Sequence, residues 1–206
     1  MKKDLTELVF ILDKSGSMSG LEKDTIGGYN AFLKKQQKIK GACRITTVLF
    51  DNNYELLHDR IDLEAIKPLT EKDYEVGGST ALLDAVGMTI NKLIAVQKNT
   101  SEKHQARKVL FVIITDGMEN SSKEYSTKSV KDLIEQQKKV GWEFIFLGAN
   151  IDAVSAASTI GINPDRAQNY QASGVGVKTN YSRMSETVSD FRTKDKISDN
   201  WKKTKK

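Results

Sequence analysis

Cysteine, proline and long apolar runs are scarce in this chain of 206 residues. Its single cysteine, Cys43, excludes an intrachain disulfide, so the fold does not require an oxidising compartment. No apolar stretch approaches the roughly 20 residues of a membrane span. The apolar run at residues 8–12 is too short for the core of a signal peptide and leads straight into Asp13. We therefore predict a cytoplasmic protein that does not insert into a membrane.

Several enzyme motifs are also missing. A P-loop and a dinucleotide-binding glycine motif after the first strand are both absent, and Met18 occupies the place of the nucleophile in an esterase-like elbow at residues 16–20. Phosphatases of the haloacid dehalogenase type need a second acid two residues after the nucleophilic aspartate, and here that residue is Ser15. We predict no catalysis, and a metal-dependent phosphotransfer or phosphohydrolase domain stays the alternative.

The positive charge is concentrated at the end of the chain. Residues 191–206 hold seven of the 32 basic side chains and two of the 27 acidic ones, which leaves 25 of each in residues 1–190. A basic tail is not a basic face, so nucleic acid is an unlikely partner, although the tail leaves that alternative open. We predict one domain over residues 1–191 and a basic, flexible tail over residues 192–206.

Apolar runs alternate with segments of helical period, which favours a parallel sheet with helices on both faces. Strands are predicted at residues 8–12, 45–50, 109–115 and 142–147. The run at 109–114 is apolar without alternation, as a central strand buried on both faces should be. Residues 54–60 are more polar and follow a short turn, which predicts a hairpin partner at the sheet edge.

Five amphipathic stripes predict helices. Gly141 should end the third helix in a left-handed conformation, and Asp152 should cap an alanine-rich fourth helix that runs through Ile160. The stripes, in chain order, are Ile26, Tyr29 and Leu33; Leu83, Val86, Ile90 and Leu93; Val130, Leu133, Ile134 and Gln137; the alanines after Asp152; and Tyr181, Met184, Val188 and Phe191.

Oxygen-bearing side chains cluster in three loops. Asp13, Ser15 and Ser17 form a D-x-S-x-S motif directly after the first strand, where α/β sheets place their ligands. Thr80 closes a Gly-Gly-Ser-Thr segment at the start of a helix, and Asp116 follows the most apolar strand. Hard cations such as Mg2+ prefer oxygen ligands. The three segments together predict a metal site.

The order of these motifs resembles the metal-ion-dependent adhesion site (MIDAS) of von Willebrand factor A (vWA) domains. The resemblance covers nearly the whole chain, and the Asp-Lys-Ser-Gly-Ser-Met run is similar to stand-alone bacterial and phage members. It implies a doubly wound, mostly parallel, Rossmann-like sheet of six strands with one antiparallel edge strand. It also implies that Asp13, Ser15, Ser17, Thr80 and Asp116 bind Mg2+ or Mn2+.

The resemblance further implies how the metal is used. Ser15 and Ser17 would contact the ion directly, Thr80 would join when a ligand is bound, and Asp13 and Asp116 would act mostly through waters and by orienting hydroxyls. A partner protein would supply an Asp or Glu to complete the shell. Stand-alone bacterial members often act together with AAA+ ATPases or stress-response systems, so the resemblance implies such proteins as candidate partners. We also expect residues 118–120 to rim the partner surface.

Overall fold

The computed structural model describes residues 2–198 together with Trp201 and Lys202, with side chains from Leu5 onward. In this part of the chain strands and helices alternate. The strands are β1 (Lys2–Asp13), β2 (Cys43–Phe50), β3 (Tyr54–Asp62), β4 (Ala106–Thr115), β5 (Glu143–Gly148) and β6 (Ala167–Asn169). The α-helices are α1 (Glu22–Gln37), α2 (Leu82–Lys98), α3 (Thr127–Lys139), α4 (Ala153–Thr159) and α5 (Gly174–Lys194).

The strands form one six-stranded sheet in the order β3-β2-β1-β4-β5-β6. All neighbouring strands are parallel except β3, which pairs antiparallel with β2 at the edge. The predicted doubly wound, mostly parallel α/β fold with one antiparallel edge strand is confirmed. Because β1 pairs with both β2 and β4, the strand order reverses beside it. The carboxyl ends of β1 and β4 therefore lie at the point where such sheets bind ligands.

The two faces of the sheet are covered by different helices. The even-numbered residues Leu110 and Val112 of β4 pack in the core beneath α1 and α5, while Phe111 and Ile113 pack beneath α2, α3 and α4. This is why residues 109–114 are apolar without alternation: all six are buried. Burying each such large aliphatic or aromatic side chain contributes about 1.5–3 kcal/mol.

The helices confirm the predicted stripes, whose apolar residues face the two cores with Leu133 half-buried. Gly141 has a φ of 89° directly after the last turn of α3, as predicted for the residue that ends it. Asp152 caps α4, since its Oδ1 accepts the backbone N–H of Ser155 at 3.0 Å. Among the described residues, none of the helices combines the length and apolar character that crossing a bilayer requires.

Two strands differ from the sequence prediction. Strand β1 begins at Lys2 rather than at residue 8, because its polar first half is held by backbone pairing with β4. The sixth strand, β6, is only three residues long, from Ala167 to Asn169. A segment so short shows no periodicity, so its residues could not be predicted from the pattern.

The segment after Phe191 differs from the predicted flexible tail. Helix α5 continues to Lys194 and ends at Asp195, which has a φ of 60°. Beyond it, Ile197 and Trp201 are buried, and the Trp201 indole N–H donates to the backbone oxygen of Asp165 at 2.7 Å. The burial of these apolar side chains and this hydrogen bond hold the segment in place, although its charge alone predicted a flexible segment. The rest of the predicted tail, at 199–200 and 203–206, lies outside the described residues.

Candidate metal centre

Three loops meet at the carboxyl ends of β1 and β4. They contain residues 13–17, 77–80 and 115–117, which are the three segments singled out in the sequence. Two backbone hydrogen bonds join the first loop to the second: Gly16 N–H donates to the Gly78 oxygen at 3.1 Å, and Gly77 N–H donates to the Lys14 oxygen at 2.9 Å. The backbone therefore fixes the spacing between the D-x-S-x-S loop and the loop that carries Thr80.

Asp13 is the last residue of β1 and is buried. Its Oδ1 accepts the backbone N–H of Ser15 at 2.7 Å, and its Oδ2 accepts the Thr115 hydroxyl at 2.5 Å. The Tyr74 hydroxyl donates to the Asp13 backbone oxygen. The carboxylate thus joins the ends of β1 and β4 and fixes the direction in which Ser15 points.

Three hydroxyls converge beside Gly117. The Ser15 and Ser17 Oγ atoms are 3.1 Å apart, and the Ser17 hydroxyl donates to Asp116 Oδ1 at 2.5 Å. A Cβ placed on Gly117 would lie 2.8 Å from Thr80 Oγ1, 3.2 Å from Ser17 Oγ and 3.7 Å from Ser15 Oγ. The missing side chain of Gly117 therefore leaves a cradle among the three hydroxyls. All five residues named from the sequence contribute to this one place.

The two carboxylates of the cradle carry negative charge that no basic residue neutralises in the contacts described above. Asp116 Oδ2 is buried and has no hydrogen-bond partner among the described residues. Burial raises the pKa of Asp13, and burial together with the charge of Asp13 raises the pKa of Asp116. Hydroxyl and carboxylate oxygens are the donors that hard divalent cations prefer. The donor set, the unpaired oxygen and the cradle all fit a divalent cation.

Residues 118–120 have divided roles. Met118 is 75% exposed, which suits the rim of a surface. The Glu119 carboxylate instead accepts the backbone N–H groups of Leu83, at 2.9 Å, and of Ser121 and Ser122. Asn120 accepts the Thr80 N–H at 2.9 Å and donates its own N–H to the Thr80 oxygen at 3.0 Å. Glu119 and Asn120 therefore position α2 and Thr80, a role that no feature of the sequence indicated.

Asp51, which also follows a strand at this end of the sheet, has a structural role. Its Oδ1 accepts the backbone N–H of Asn53 at 2.6 Å within the β2–β3 turn, and its backbone oxygen accepts the N–H of Ala81 at 2.8 Å. A Cβ on Gly78 would lie 2.1 Å from Asn52 Oδ1, and Gly78 has a φ of 71°. The Asn52 side chain could move away, but the left-handed conformation itself favours glycine at position 78.

Residues 7–180 match the family model of the von Willebrand factor type A domain. No curated protein matches the chain significantly. The sheet order, the helical layers and the three loops described above thus lie largely within the matched range.

Solved structures with similar folds include a mussel byssus protein and a domain of a bacterial pilus tip protein. One is proximal thread matrix protein 1 from the mussel byssus, solved with a zinc-occupied MIDAS motif, at 13% identity and a TM-score of 0.61 over 89% of this chain. The match spans only 46% of that mussel protein. The other is the vWF domain of the type V pili tip protein Mfa5 from Porphyromonas gingivalis, at 10% identity and a TM-score of 0.61, covering 94% of this chain and 98% of that one. At these identities the likeness shows the fold.

Proposed function

The chain belongs to the von Willebrand factor type A family, and from this premise we propose that it is a metal-dependent protein-binding module with an intact MIDAS. Ser15, Ser17 and Thr80 hold one Mg2+ or Mn2+, and Asp13 and Asp116 orient the hydroxyls and balance the charge. The convergence of three hydroxyls around the Gly117 cradle carries this proposal. The unpaired, buried Oδ2 of Asp116 supports it.

The chemistry of the ligands explains why such a site binds another protein. When bound, a divalent cation held mainly by neutral hydroxyls keeps enough positive charge to attract a carboxylate from a partner. Asp13 accepts a hydrogen bond from the Ser15 backbone N–H and so holds that loop in place. Asp116 accepts a hydrogen bond from the Ser17 hydroxyl, which leaves the Ser17 lone pairs free to face the cradle. Ser17 lies at the protein surface. A partner's Asp or Glu can therefore reach the cradle without a rearrangement of the core.

We propose no catalytic step. The residue two positions after Asp13 is Ser15, whose hydroxyl lies 3.1 Å from that of Ser17, so a general acid is lacking at the place where a phosphatase of the haloacid dehalogenase type has one. A phosphatase assay with and without Mg2+ tests this directly. Turnover that depends on Mg2+ and is lost in Asp13→Asn would favour the phosphohydrolase alternative instead.

The partner is proposed to be a protein of a bacterial or phage cytoplasm, with an AAA+ ATPase or a stress-response component as the first candidates. The resemblance of the D-x-S-x-S-M run to stand-alone bacterial members supports this choice. A pull-down in Mg2+, repeated in EDTA, identifies proteins that bind through the ion. Retention of the same proteins in both conditions would place the binding surface elsewhere.

The metal assignment is tested by calorimetric titration with Mg2+, Mn2+ and Zn2+, the last because a zinc-occupied site is known in the mussel protein. Ser15→Ala should weaken metal binding roughly tenfold to a hundredfold, since one ligand is lost. Ser19→Ala is the matched control, because Ser19 is an exposed serine in the same loop but lies outside the cradle. Equal loss in both variants, or no loss in Ser15→Ala, would contradict the assignment.

Thr80 should matter more for the partner than for the ion. If Thr80 joins the ion mainly in the partner-bound form, Thr80→Ala weakens partner binding roughly tenfold to a hundredfold, and metal binding by less. Ser15→Ala should weaken both equally. Partner affinity is measured for the wild type and both variants in Mg2+ and in EDTA. The same ratio of partner loss to metal loss in both variants would contradict a separate role for Thr80.

A further inference from the structure

An apolar groove lies directly beside the hydroxyl cradle. It runs between the start of α2, the loop after β4 and helix α4, and its volume is about 280 Å3. Its floor contains the buried side chains of Leu82, Leu83 and Ile160, and Met118 stands at its rim with 75% of its surface exposed. Ile151 and Ala156 line the same groove and are partly buried. An exposed methionine over an apolar floor is typical of a surface that binds an apolar group of a partner.

Gly117 connects the groove to the cradle. It lines the groove, and its absent side chain leaves the space among the Ser15, Ser17 and Thr80 hydroxyls. Consecutive residues of a chain are only about 3.8 Å apart. A polypeptide that places a carboxylate over the cradle therefore carries its neighbouring side chains to the groove without a gap.

The size and chemistry of the groove favour an apolar side chain over a small molecule. The volume of about 280 Å3 lies at the low end of the roughly 300–1,000 Å3 that is typical of small-molecule sites. The carboxylates at its edge already have partners: Glu119 accepts the Leu83 N–H at 2.9 Å, and Asp152 accepts the Ser155 N–H at 3.0 Å. The hydroxyls of Thr127, Ser155 and Thr159 also line the groove, and that of Thr159 already donates to the Ser155 oxygen at 3.0 Å. The floor offers apolar contact.

We propose that the groove selects the partner's sequence: the segment bound carries Asp or Glu within two residues of a large apolar side chain, such as Leu, Met or Phe. The carboxylate occupies the cradle and the apolar side chain fills the groove. This rests on the proposed function, because it needs a carboxylate at the ion to fix the segment in place. The ion then supplies attraction, and the groove supplies discrimination among acidic segments.

The test begins with linear peptides of random sequence displayed on phage, selected on the wild-type protein in Mg2+ and eluted with EDTA. Enriched peptides should carry an acidic residue with a large apolar residue one or two positions away. The best of them is then synthesised, together with a version in which Ser replaces the apolar residue. The Ser version should bind roughly tenfold to a hundredfold more weakly, since burial of that side chain is lost.

Two leucine substitutions on α4 locate the effect. Ala156→Leu fills the groove and should abolish the tenfold or greater preference for the apolar peptide, while Mg2+ affinity stays within twofold of the wild type. Ser158→Leu is the matched control, because Ser158 is an exposed residue of the same helix that does not line the groove. It should keep the preference. Circular dichroism confirms that both variants are folded.

A second measurement uses the wild type alone, so the test survives if Ala156→Leu does not fold. With 13C-labelled methionine methyl groups, the peptide should shift the NMR signal of Met118 and leave that of Met88, which lies on α2 outside the groove, unchanged. A shift of Met118 that depends on protein concentration without peptide would identify a second copy of the chain as the occupant and overturn the proposal.

The remaining outcomes separate this inference from the proposed function. If EDTA elutes acidic peptides that show no apolar preference, the metal-dependent function stands and the groove proposal is wrong. If no acidic peptide binds in an EDTA-sensitive way, the proposed function itself fails, and the groove proposal falls with it. An apolar preference that Ala156→Leu and Ser158→Leu both leave intact would place the selecting surface outside the groove.

Discussion

The two ends of the sheet bury polar groups in opposite ways. At the carboxyl end, three hydroxyls and two carboxylates surround the Gly117 cradle, and Asp116 Oδ2 has no hydrogen-bond partner among the described residues. At the amino end, Arg192 and Lys108 are buried, and the contacts of both are filled by backbone oxygens and a carboxylate. Glu7 Oε2 at the amino end also lacks a hydrogen-bond partner, but the Glu7 carboxylate is ion-paired with Arg60. Within the part of the chain that the structure describes, the two ends therefore differ in charge: the unpaired oxygen at the carboxyl end belongs to a carboxylate without a basic partner.

Arg192 closes the amino end by capping helix α1. Its guanidinium donates to the backbone oxygens of Gln36 at 2.7 Å, Ile39 at 3.2 Å and Gly41 at 2.9 Å. Lys108 donates to the Arg192 oxygen at 2.6 Å and forms an ion pair with Asp195. The end of α5, the end of α1 and the start of β4 are thus held together by side-chain bonds. Burial lowers the pKa of Arg192.

The comparison teaches how to separate structural from functional polar residues. Buried polar groups cost free energy unless they are hydrogen-bonded, so a filled set of partners indicates a contribution to stability. A cluster of the same polarity that keeps an unpaired buried oxygen gives up stability. Such a cluster persists where binding compensates for it. Substitutions at the amino end should therefore lower the melting temperature without changing Mg2+ affinity. Substitutions at the carboxyl end should lower Mg2+ affinity without lowering the melting temperature in EDTA.

The largest expected effect is at the amino end. Arg192→Met removes the donors to three α1 and loop carbonyls and should destabilise the protein by about 3 kcal/mol, which lowers the melting temperature by about 6–12 °C. Lys194→Met is the matched control, because Lys194 is an exposed cation on the same helix that pairs with Asp190 on the helix surface. Thermal unfolding that is equal in the two variants would contradict a structural role for Arg192. Mg2+ affinity should stay unchanged in both.

The next largest effect concerns the segment after α5. Trp201→Ala should cost about 2 kcal/mol, or about 4–8 °C in melting temperature, because the indole is buried and bonded to Asp165. Substitution of the exposed Lys196 by Ala provides the control. If the melting temperature of Trp201→Ala equals that of the wild type, the segment contributes nothing to stability. The domain boundary predicted at residue 191 then stands.

Most of the fold could be predicted from the sequence because the spacing of apolar residues indicates which side of a helix or strand is buried. The runs at 109–114 and 142–147 and the stripes of α1, α2 and α5 are long, and their apolar residues face one core or both. Sequence reasoning did not locate β6, whose three residues are held by pairing with β5 rather than by a pattern of their own. It did not identify the bond between the Trp201 indole and the Asp165 oxygen, because the local charge of a segment does not reveal a carbonyl that is distant in the chain.

The sequence predicted which residues meet beside Gly117, but it did not predict the residues that hold them in place. Asp13, Ser15, Ser17, Thr80 and Asp116 bear the oxygens and stand at fixed spacing from strand ends, so the sequence could name them. Asn120, Glu119 and Tyr74 act through contacts with residues 36 to 61 positions away in the chain. No local pattern encodes such contacts, and only the folded chain brings those pairs together.

At the carboxyl end, removal of one charge should weaken binding without weakening the fold. Asp116→Asn keeps an oxygen for the Ser17 hydroxyl but removes a buried charge that lies close to Asp13. We expect Mg2+ affinity to fall roughly tenfold to a hundredfold. In EDTA the melting temperature should equal or exceed that of the wild type, because an unfavourable buried charge is gone.

Melting temperatures measured with and without Mg2+ test this prediction for Asp116→Asn. At the same concentration, Mg2+ should raise the melting temperature of Asp116→Asn less than that of the wild type, since the stabilisation depends on the ratio of free ion to Kd. Asp13→Asn is a harder test, because Asp13 bonds to both Ser15 and Thr115 and ends β1 rather than lying on a loop. A large loss of stability for Asp116→Asn in EDTA would make its carboxylate structural, like Arg192.

The smallest expected effect comes from closing the cradle with one methyl group. Gly117→Ala places a Cβ 2.8 Å from Thr80 Oγ1, closer than unstrained contacts allow, so the hydroxyl must move. Mg2+ affinity should fall by roughly threefold to tenfold, or about 0.7–1.4 kcal/mol. Gly77→Ala is the matched control, because a Cβ there has no atom within 4 Å and Gly77 does not carry a positive φ. Calorimetric titration of both variants with Mg2+ makes the comparison. Equal affinities would show that the space beside Gly117 is not where the ion lies, and the two ends of the sheet would then differ in packing alone.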